Sequence, residues 1–145
     1  MNARRMNPDE IYTVQEWFRG HHGISPPTHI LSSHGFMAGG KGKGVAAVFL
    51  FPVIGAQVAF IGWPTVNPDV DKLTAFRGLK MAYEEAEYHA KTMGYIYLQT
   101  FATSKTLENR YTKMNYKSCG EGLEMLKLIN GGSLWQSMQQ QQQSL

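Results

Sequence analysis

The stretch from Gly94 to Tyr116, GYIYLQTFATSKTLENRYTKMNY, is the part of the chain whose pattern is most diagnostic of a fold. Its segment Tyr95–Phe101 is dominated by aromatic and β-branched residues and predicts a strand. From Ser104 to Met114 the apolar residues recur at helical spacing, and we expect a short helix with one buried face. A strand that runs directly into a helix favours an architecture in which helices cover a sheet.

The segment before this stretch predicts the longest helix of the chain, roughly from Asp71 to Met93. Asp69 or Asp71 can cap its first turn, and Gly94 can end it. Apolar residues step by three and four along one face of this helix, so we expect that face to pack on the sheet. Its members are Phe76, Leu79, Tyr83, Ala86 and Ala90.

The first half of the chain indicates a helix followed by a meander of strands. The residues from Asn7 onward are a typical helix start, and the apolar spacing predicts a helix that ends at Gly20. Gly62 and Pro64 predict a bulge or an early end to pairing in the strand that holds them. The predicted strands are His29–Ser33 and Gly35–Ala38 (or one interrupted strand), the apolar Val45–Phe51, Gln57–Thr65, Tyr95–Phe101, Tyr116–Cys119 and Leu123–Ile129.

This order of elements predicts an α+β (mixed α/β) fold, in which a central mixed, mostly antiparallel sheet is flanked by helices. The 145 residues are enough for one hydrophobic core. We place a single domain at residues 1–131 and a polar, glutamine-rich tail at residues 132–145.

Composition argues against several classes of function. Charged residues make up 17% of the chain, the net charge is +3, and the basic residues form no stripe, so we expect no nucleic-acid surface. The longest apolar run, Val45 to Val53, contains Pro52 and is too short to span a membrane. Cys119 is the single cysteine and cannot form an internal disulfide. No apolar run follows the two N-terminal arginines, so we predict no signal peptide and a soluble, cytoplasmic protein.

Three other candidate sites have stronger structural explanations. The cluster Gly35–Gly42 departs from the P-loop by a glycine where Ser or Thr must bind magnesium, and a predicted strand follows it, so we expect a hairpin tip. His21, His22 and His34 could meet in space, but the five histidines form no i, i+4 pair, and we expect no metal. Cys119 has no nucleophile signature around it.

The stretch quoted first resembles the second half of the GCN5-related N-acetyltransferase (GNAT) fold. In that family a strand leads into a helix with an Asn near its start and a closing Tyr-x-Lys-x-Gly-Phe. Here Tyr111–Tyr116 stands in place of the closing motif, with Asn for Gly and Tyr for Phe, and Ser104 stands where the Asn usually does. Gly78–Gly94 is similar to the long third helix of the family, and the resemblance covers about residues 57–129.

The resemblance implies transfer of an acetyl group from acetyl-CoA to an amine of a small molecule or a protein. It implies that Gln57–Thr65 splays from Tyr95–Phe101 to hold the pantetheine arm, and that backbone amides near Trp63 polarise the thioester carbonyl. Tyr111 would protonate the leaving thiolate, although a core aromatic explains it equally well. The implied cofactor-binding residues are Gly62, Thr65, Arg77, Gly78 and Ser104.

The chain departs from the family at the pyrophosphate loop, R/Q-x-x-G-x-G/A, which lies directly before the long helix. The matching stretch, Leu73–Gly78, has Leu73 in place of the cation and Phe76 in place of the first glycine. A phenylalanine would crowd the amides that approach the phosphates, and the charge of Arg77 does not restore that geometry. Helical spacing runs unbroken through Phe76, so we expect the helix to begin earlier and the loop to be absent.

Two further departures concern the first strand and the general base. The sequence before Asn7 shows no clear counterpart of the first strand of the family. Gln57–Trp63 carries no Asp or Glu, so Asp69, Asp71 or a histidine would have to act as the base, through water.

Two functions therefore stay open. One is an N-acetyltransferase that uses acetyl-CoA. The other is a GNAT-fold protein that has lost cofactor binding and serves as an interaction or structural component, with a protein partner or a second copy of itself. Short proteins of this kind with eroded cofactor loops resemble those of tailed phages, which would place the chain in a virion or a host cytoplasm. Trp135 and the Gln139–Gln143 run would then suit docking.

Overall fold

A computed structural model describes residues 1–118 of the chain. These residues form a five-stranded sheet in the order β1-β2-β3-β4-β5, with three α-helices and one short 3-10 turn at Pro8–Glu10. The strands are β1 Ala3–Arg5, β2 His34–Ala38, β3 Ala46–Pro52, β4 Val58–Val66 and β5 Tyr97–Gln99, and the helices are α1 Ile11–His22, α2 Lys72–Thr92 and α3 Lys105–Lys113.

Neighbouring strands from β1 to β4 run antiparallel, and β5 runs parallel to β4. The prediction of a mixed, mostly antiparallel sheet flanked by helices is therefore confirmed. Antiparallel neighbours need only short turns, whereas the parallel pair requires a crossover, and α2 supplies it between β4 and β5.

Two hydrophobic clusters lie on opposite faces of the sheet. Val48 and Leu50 of β3 point into the cluster beneath α2, and Ala47 and Phe49 point into the cluster beneath α1. Residues 46–50 of β3 are all buried, which confirms the prediction of a strand covered on both faces.

Helix α2 begins and ends where the sequence predicts. Asp71 is its N-cap, and Gly94 follows its end with a left-handed φ of 92°. Phe76 is only partly buried, and Ala75 takes its place on the face against the sheet.

The N-terminal part corrects the expectation that no strand precedes Asn7. Residues of β1 pair with β2, from Ala3 opposite Ala38 to Arg5 opposite Phe36. Three residues are too few to show alternation, and this strand depends on a tertiary contact: the guanidinium of Arg4 donates to both carboxylate oxygens of Glu10, at 2.7 and 2.8 Å.

Several other boundaries differ from the prediction. Helix α1 runs through Gly20 and is ended by Gly23, which adopts a left-handed φ of 75° and donates to the carbonyl of Arg19. The segment His29–Ser33 forms turns after the tandem prolines rather than a strand, and β5 is shorter than Tyr95–Phe101.

The predicted C-terminal elements lie mostly beyond the described part of the chain. Within residues 116–118 the structure has no strand. Cys119, the strand predicted at Leu123–Ile129, the domain boundary at residue 131 and the tail with Trp135 and Gln139–Gln143 lie outside the described residues.

Candidate functional site

A bulge interrupts the pairing of β3 with β4. Ala47 pairs with Thr65 and Phe49 pairs with Gly62, so two residues of β4, Trp63 and Pro64, stand opposite one residue of β3. Trp63 has a φ of 51°, in the left-handed region that tryptophan seldom adopts. The bulge predicted from Gly62 and Pro64 is therefore confirmed, and it reorients the backbone at this point of the strand.

Strands β4 and β5 separate beside this bulge. Their parallel pairing covers Val58–Phe60 of β4, and the hydroxyl of Thr100 then donates to the carbonyl of Ile61 at 2.9 Å. Beyond that bond β4 continues to Val66 while β5 has ended. We call the space between Gly62–Val66 and the chain after Thr100 the β4–β5 gap.

The side chain of Trp63 packs away from the face that α2 covers. Its ring meets Phe18 of α1 edge to face, with centroids 6.0 Å apart, and it belongs to the cluster beneath α1. Any role of Trp63 in the β4–β5 gap therefore falls to its backbone, as the oxyanion interpretation requires.

Three hydroxyl groups form a chain from the gap into the interface between α2 and α3. Thr100, at the base of the gap, lies 3.0 Å from the phenol oxygen of Tyr83, and Tyr83 donates to the phenol oxygen of Tyr111 at 2.8 Å. Tyr83 has one proton for these two neighbouring oxygens. The exposed fraction of Tyr111 is 3% and Tyr83 is fully buried, so the bond between the two phenols is shielded from water, whereas Thr100 is half-buried.

Burial keeps the phenol of Tyr83 protonated. Desolvation raises its pKa well above the ordinary tyrosine value, and the nearby Tyr111 raises it further. Tyr116 packs against the rings of Tyr83 and Tyr111 and donates to Glu87 at 2.7 Å. Burial is the main cause that raises the pKa of Tyr116, and the hydrogen bond to the Glu87 carboxylate raises it further. At neutral pH the phenols of Tyr83 and Tyr116 are therefore protonated.

The first turn of α2 binds its own carboxylate. Asp71 accepts from the amide of Thr74 at 2.9 Å and from the hydroxyl of Thr74 at 2.7 Å. These bonds lower the pKa of Asp71, the amide bond contributing most. The amides at a helix N-terminus are the groups that bind phosphate in other proteins, and here a side-chain anion already accepts one of them, the amide of Thr74.

An aromatic–cation contact joins the first half of α2 to α3. The guanidinium carbon of Arg110 lies 3.9 Å from the ring centroid of Phe76. This pair occupies the space beside the second turn of α2, where the resemblance places the first glycine of the pyrophosphate loop. The expected absence of that loop agrees with a helix that begins at Lys72.

The other residues proposed from the sequence lie in three separate places. Gly62 and Thr65 flank the bulge, and the buried hydroxyl of Thr65 has no hydrogen-bond partner among the described residues. Ser104 caps α3 through the amide of Leu107. Arg77 is exposed on α2.

Gly78 has a packing explanation. A Cβ at this position would stand 2.6 Å from the side chain of Val45, so only glycine lets α2 approach the sheet this closely. The structure thus brings Gly62, Trp63 and Thr65 together at the bulge and connects Tyr111 to the gap through Tyr83 and Thr100, and it leaves Arg77 and Gly78 within a helix.

Sequence reasoning missed the roles of Tyr83, Thr100 and Asp71. Tyr83 was assigned only to the apolar face of α2, although a tyrosine on a fully buried stripe must find a partner for its hydroxyl. Asp71 was recognised as a possible cap, but its consequence for phosphate binding depends on the amides that the helix presents.

Two of the alternative sites considered from the sequence, the glycine cluster and the histidines, lie within the described residues. Gly39–Gly44 forms the turn between β2 and β3. Within residues 1–118 no group of His, Cys, Asp and Glu side chains is arranged to hold a metal ion. Nε2 of His21 lies 2.8 Å from the carbonyl of Val66, and Nδ1 of His34 lies 3.3 Å from Arg5.

A shallow groove of about 380 Å³ lies at the opposite end of α2 from Asp71, beside Glu87 and Tyr95. Its lining contains none of the residues of the bulge. Among residues 1–118 no helix combines the length and the apolar character needed to cross a bilayer.

No family model matches the sequence, and no curated protein matches it. Solved structures match the fold. Rv2747 of Mycobacterium tuberculosis, solved in complex with CoA, has a TM-score of 0.65 at 11% identity and covers 97% of this chain and 82% of its own. A putative acetyltransferase of Agrobacterium tumefaciens has a TM-score of 0.59 at 14% identity, over 88% of this chain and 100% of its own.

The chain has the GNAT fold. An acetyltransferase of Trypanosoma brucei adds a third match, with a TM-score of 0.59 at 16% identity over 88% of this chain and 99% of its own. Identities this low show the fold alone, so the likeness is to acetyltransferase structures and leaves the substrate open. These comparisons give no support to the resemblance to phage proteins.

Proposed function

We propose that the protein is an N-acetyltransferase that moves an acetyl group from a pantetheine thioester, of which acetyl-CoA is the common form, to an amine. The observation that carries the proposal is the bulge at Trp63, which lies where β4 parts from β5. A bulge at that point exposes backbone on a strand that would otherwise be paired on both sides. GNAT-fold neighbours solved with CoA support the choice of donor.

The residues present fit the thioester end of such a donor. The bound thioester supplies an activated acetyl carbon. The backbone around Gly62 and Trp63 would donate to the carbonyl oxygen as negative charge develops on it, and fixed amides do this without reorganisation. The gap between β4 and β5 would hold the pantetheine arm, with Thr100 at its base.

In the transfer the amine nitrogen forms a bond to the acetyl carbon and the carbon–sulfur bond breaks. The amine loses a proton and the sulfur gains one. We assign the proton donor to Tyr111, whose hydroxyl is connected to Thr100 through Tyr83. For this proton to reach the sulfur, the hydroxyls would first turn so that Tyr111 donates to Tyr83, Tyr83 to Thr100 and Thr100 to the sulfur. The transfer would leave Tyr111 as a phenolate, which the proton released by the amine would neutralise.

The base for the amine comes from outside β4. The segment Gln57–Trp63 has no carboxylate, and Asp71 is already bonded to the first turn of α2. Asp69 and His21 lie at the end of β4, where His21 contacts the carbonyl of Val66. Either could accept the proton of the amine through a water molecule.

The carboxylate of Asp71 favours a second candidate function. A GNAT-fold chain whose helix N-terminus is already occupied by its own anion is also consistent with a non-catalytic interaction protein, with a protein partner or a second copy of the chain. In that case the hydroxyl chain and the bulge are structural features only.

One assay separates the two candidates. The purified protein is given acetyl-CoA or S-acetylpantetheine with a panel of amines, namely a polyamine, an aminoglycoside and a peptide with a free N-terminus, and acetylated product is detected by mass. Transfer that depends on the enzyme supports the proposal. The absence of both donor binding and product, with a protein that melts cooperatively, favours the non-catalytic protein.

A further inference from the structure

Three amides around the start of α2, those of Asp69, Val70 and Thr74, are already used within the chain. Asp69 donates its amide to the side-chain oxygen of Asn67 at 2.9 Å, and Val70 donates to the carbonyl of Asn67. Thr74 donates to the carboxylate of Asp71, as described above. A diphosphate at this helix end would have to displace these bonds, because backbone amides are the groups that bind it.

The position of the Asp71 carboxylate is also unfavourable for a phosphate at the first turn of α2. Asp69 and Asp71 place two carboxylates within three residues, and Lys72 and Arg77 are on the exposed surface of the following turns. A diphosphate bound at the first turn would lie next to the Asp71 carboxylate, and like charges at contact repel even in water.

The side chains of the next turn leave no room for a glycine-type cradle. Phe76 stands where the resemblance places a glycine, and Arg110 of α3 covers its ring at 3.9 Å. Helix α2 is continuous through this position. The backbone of this second turn therefore cannot approach a ligand as a glycine loop does, and the first-turn amides beside the Asp71 carboxylate are the ones left for a phosphate.

We infer that this chain holds its acyl donor by the pantetheine thioester end alone, and that Asp71 excludes the diphosphate of CoA from the N-terminus of α2. The inference rests on the proposed function, and it names the donor class. Acyl-pantetheine thioesters serve as donors as well as acetyl-CoA does, since the nucleotide half of CoA adds no binding energy here.

The test compares CoA, pantetheine and ADP, which carries the 5′-diphosphate, by isothermal titration calorimetry. For the unmodified protein we expect CoA and pantetheine to have Kd values within about threefold of each other, and ADP not to bind. In Asp71→Ser the carboxylate is gone while a good N-cap remains, so we expect CoA to bind about tenfold tighter than pantetheine. Asp69→Ser is the matched control, because it removes the same charge and leaves the Asp71 contacts intact, and we expect its ratio to stay near that of the unmodified protein.

Three results would overturn the inference. One is an unmodified protein that prefers CoA to pantetheine by more than about tenfold. The second is an Asp71→Ser variant whose preference does not change, and the third is an Asp69→Ser variant that shifts as far as Asp71→Ser. In the first case the proposed function stands and only the donor class is wrong. If pantetheine and CoA both fail to bind, the proposed function and the donor class fail together.

Discussion

The phenol oxygens of Tyr83 and Tyr111 lie 2.8 Å apart and join α2 to α3 through a buried hydrogen bond. Thr100 extends this bond to the carbonyl of Ile61 in β4. Tyr111, for which the resemblance to the GNAT family implies the role of catalytic acid, is thus connected to the β4–β5 gap by hydroxyl groups, and it does not face solvent directly.

Removal of the Tyr111 hydroxyl should lower turnover and leave the donor in place. We expect Tyr111→Phe to reduce kcat by about a hundredfold, the usual contribution of a general acid, with the donor Kd nearly unchanged. Steady-state kinetics and calorimetry with S-acetylpantetheine measure the two quantities. Tyr83→Phe breaks the same chain one hydroxyl nearer the gap, so it should reduce kcat by a similar factor.

A different outcome would show that the pair is only structural. If both variants lose stability by the 1–3 kcal/mol or so of an unpaired buried hydroxyl, and neither changes kcat, Tyr111 is a core aromatic and not the acid.

Turnover should be largely insensitive to the side chain of Trp63, because only the backbone of this residue is proposed to act in the β4–β5 gap. Trp63→Phe keeps an aromatic ring against Phe18, and we expect it to retain most of the turnover. Trp63→Ala should lower the free energy of unfolding by about 2 kcal/mol, since the ring is partly buried, while kcat per folded molecule falls little. Chemical denaturation measures the free energy of unfolding, and steady-state kinetics corrected for the folded fraction measures kcat.

Deletion of Pro64 tests the backbone of the bulge, whereas the Trp63 variants test only the side chain. It removes the extra residue of β4, so Gly62, Trp63 and Thr65 can pair with β3 without a bulge while Thr65 and Val66 keep their faces of the sheet. Turnover should be lost in this variant. A deletion variant that folds and keeps full activity would rule out the bulge as the site that polarises the thioester.

Gly78 should behave as a packing residue. Gly78→Ala places a methyl group 2.6 Å from Val45, and we expect a loss of about 1–3 kcal/mol in unfolding free energy. Because Val45→Ala frees this space, the double variant should recover part of the loss, and the double-mutant cycle measures the coupling. A donor Kd that rises in Gly78→Ala at constant stability would instead assign Gly78 to the cofactor.

The Arg4–Glu10 pair should make stability depend on pH. The hydrogen bond from Arg4 holds the pKa of Glu10 below its usual range, so the contribution is complete above the unfolded-state value of about 4.3 and is lost as the pH falls through the lowered pKa. Glu10→Gln should cost about 2 kcal/mol at pH 7, and the difference from the unmodified protein should shrink below about pH 4.

Urea denaturation between pH 3 and pH 7 measures this difference. Glu16→Gln is the control, because Glu16 pairs with Arg19 on the exposed side of α1, where a salt bridge contributes at most about 1 kcal/mol. A Glu10→Gln difference that stays constant with pH would contradict the pairing.

The fold class could be predicted from the sequence, because the strongest local patterns belong to the elements that bury most of the core. The apolar Val45–Phe51, the helix capped by Asp71 and the Ser104 cap all rest on local chemistry that a short window of residues displays. The first strand could not be predicted, since Ala3–Arg5 has no period of its own and pairs with residues more than thirty positions away. Local patterns do not encode such contacts.

The candidate site was predictable only in part. Gly62 and Pro64 predict a bulge because both weaken strand pairing. The role of the Tyr111 phenol follows only from the resemblance to the GNAT family. The partners that decide its chemistry, Tyr83 and Thr100, come from a helix and a strand end that meet only in the folded chain. The sequence shows Asp71 as a cap, but the blocked helix N-terminus follows from the bonds that it makes.

The most direct test of the account is the transfer assay with S-acetylpantetheine and a primary amine, run on the unmodified protein and on Tyr111→Phe. The account predicts acetylated amine from the unmodified protein and about a hundredfold less from the variant. No product from either protein, with both folded and S-acetylpantetheine unbound, would contradict it and would leave the non-catalytic GNAT-fold protein as the function that the structure supports.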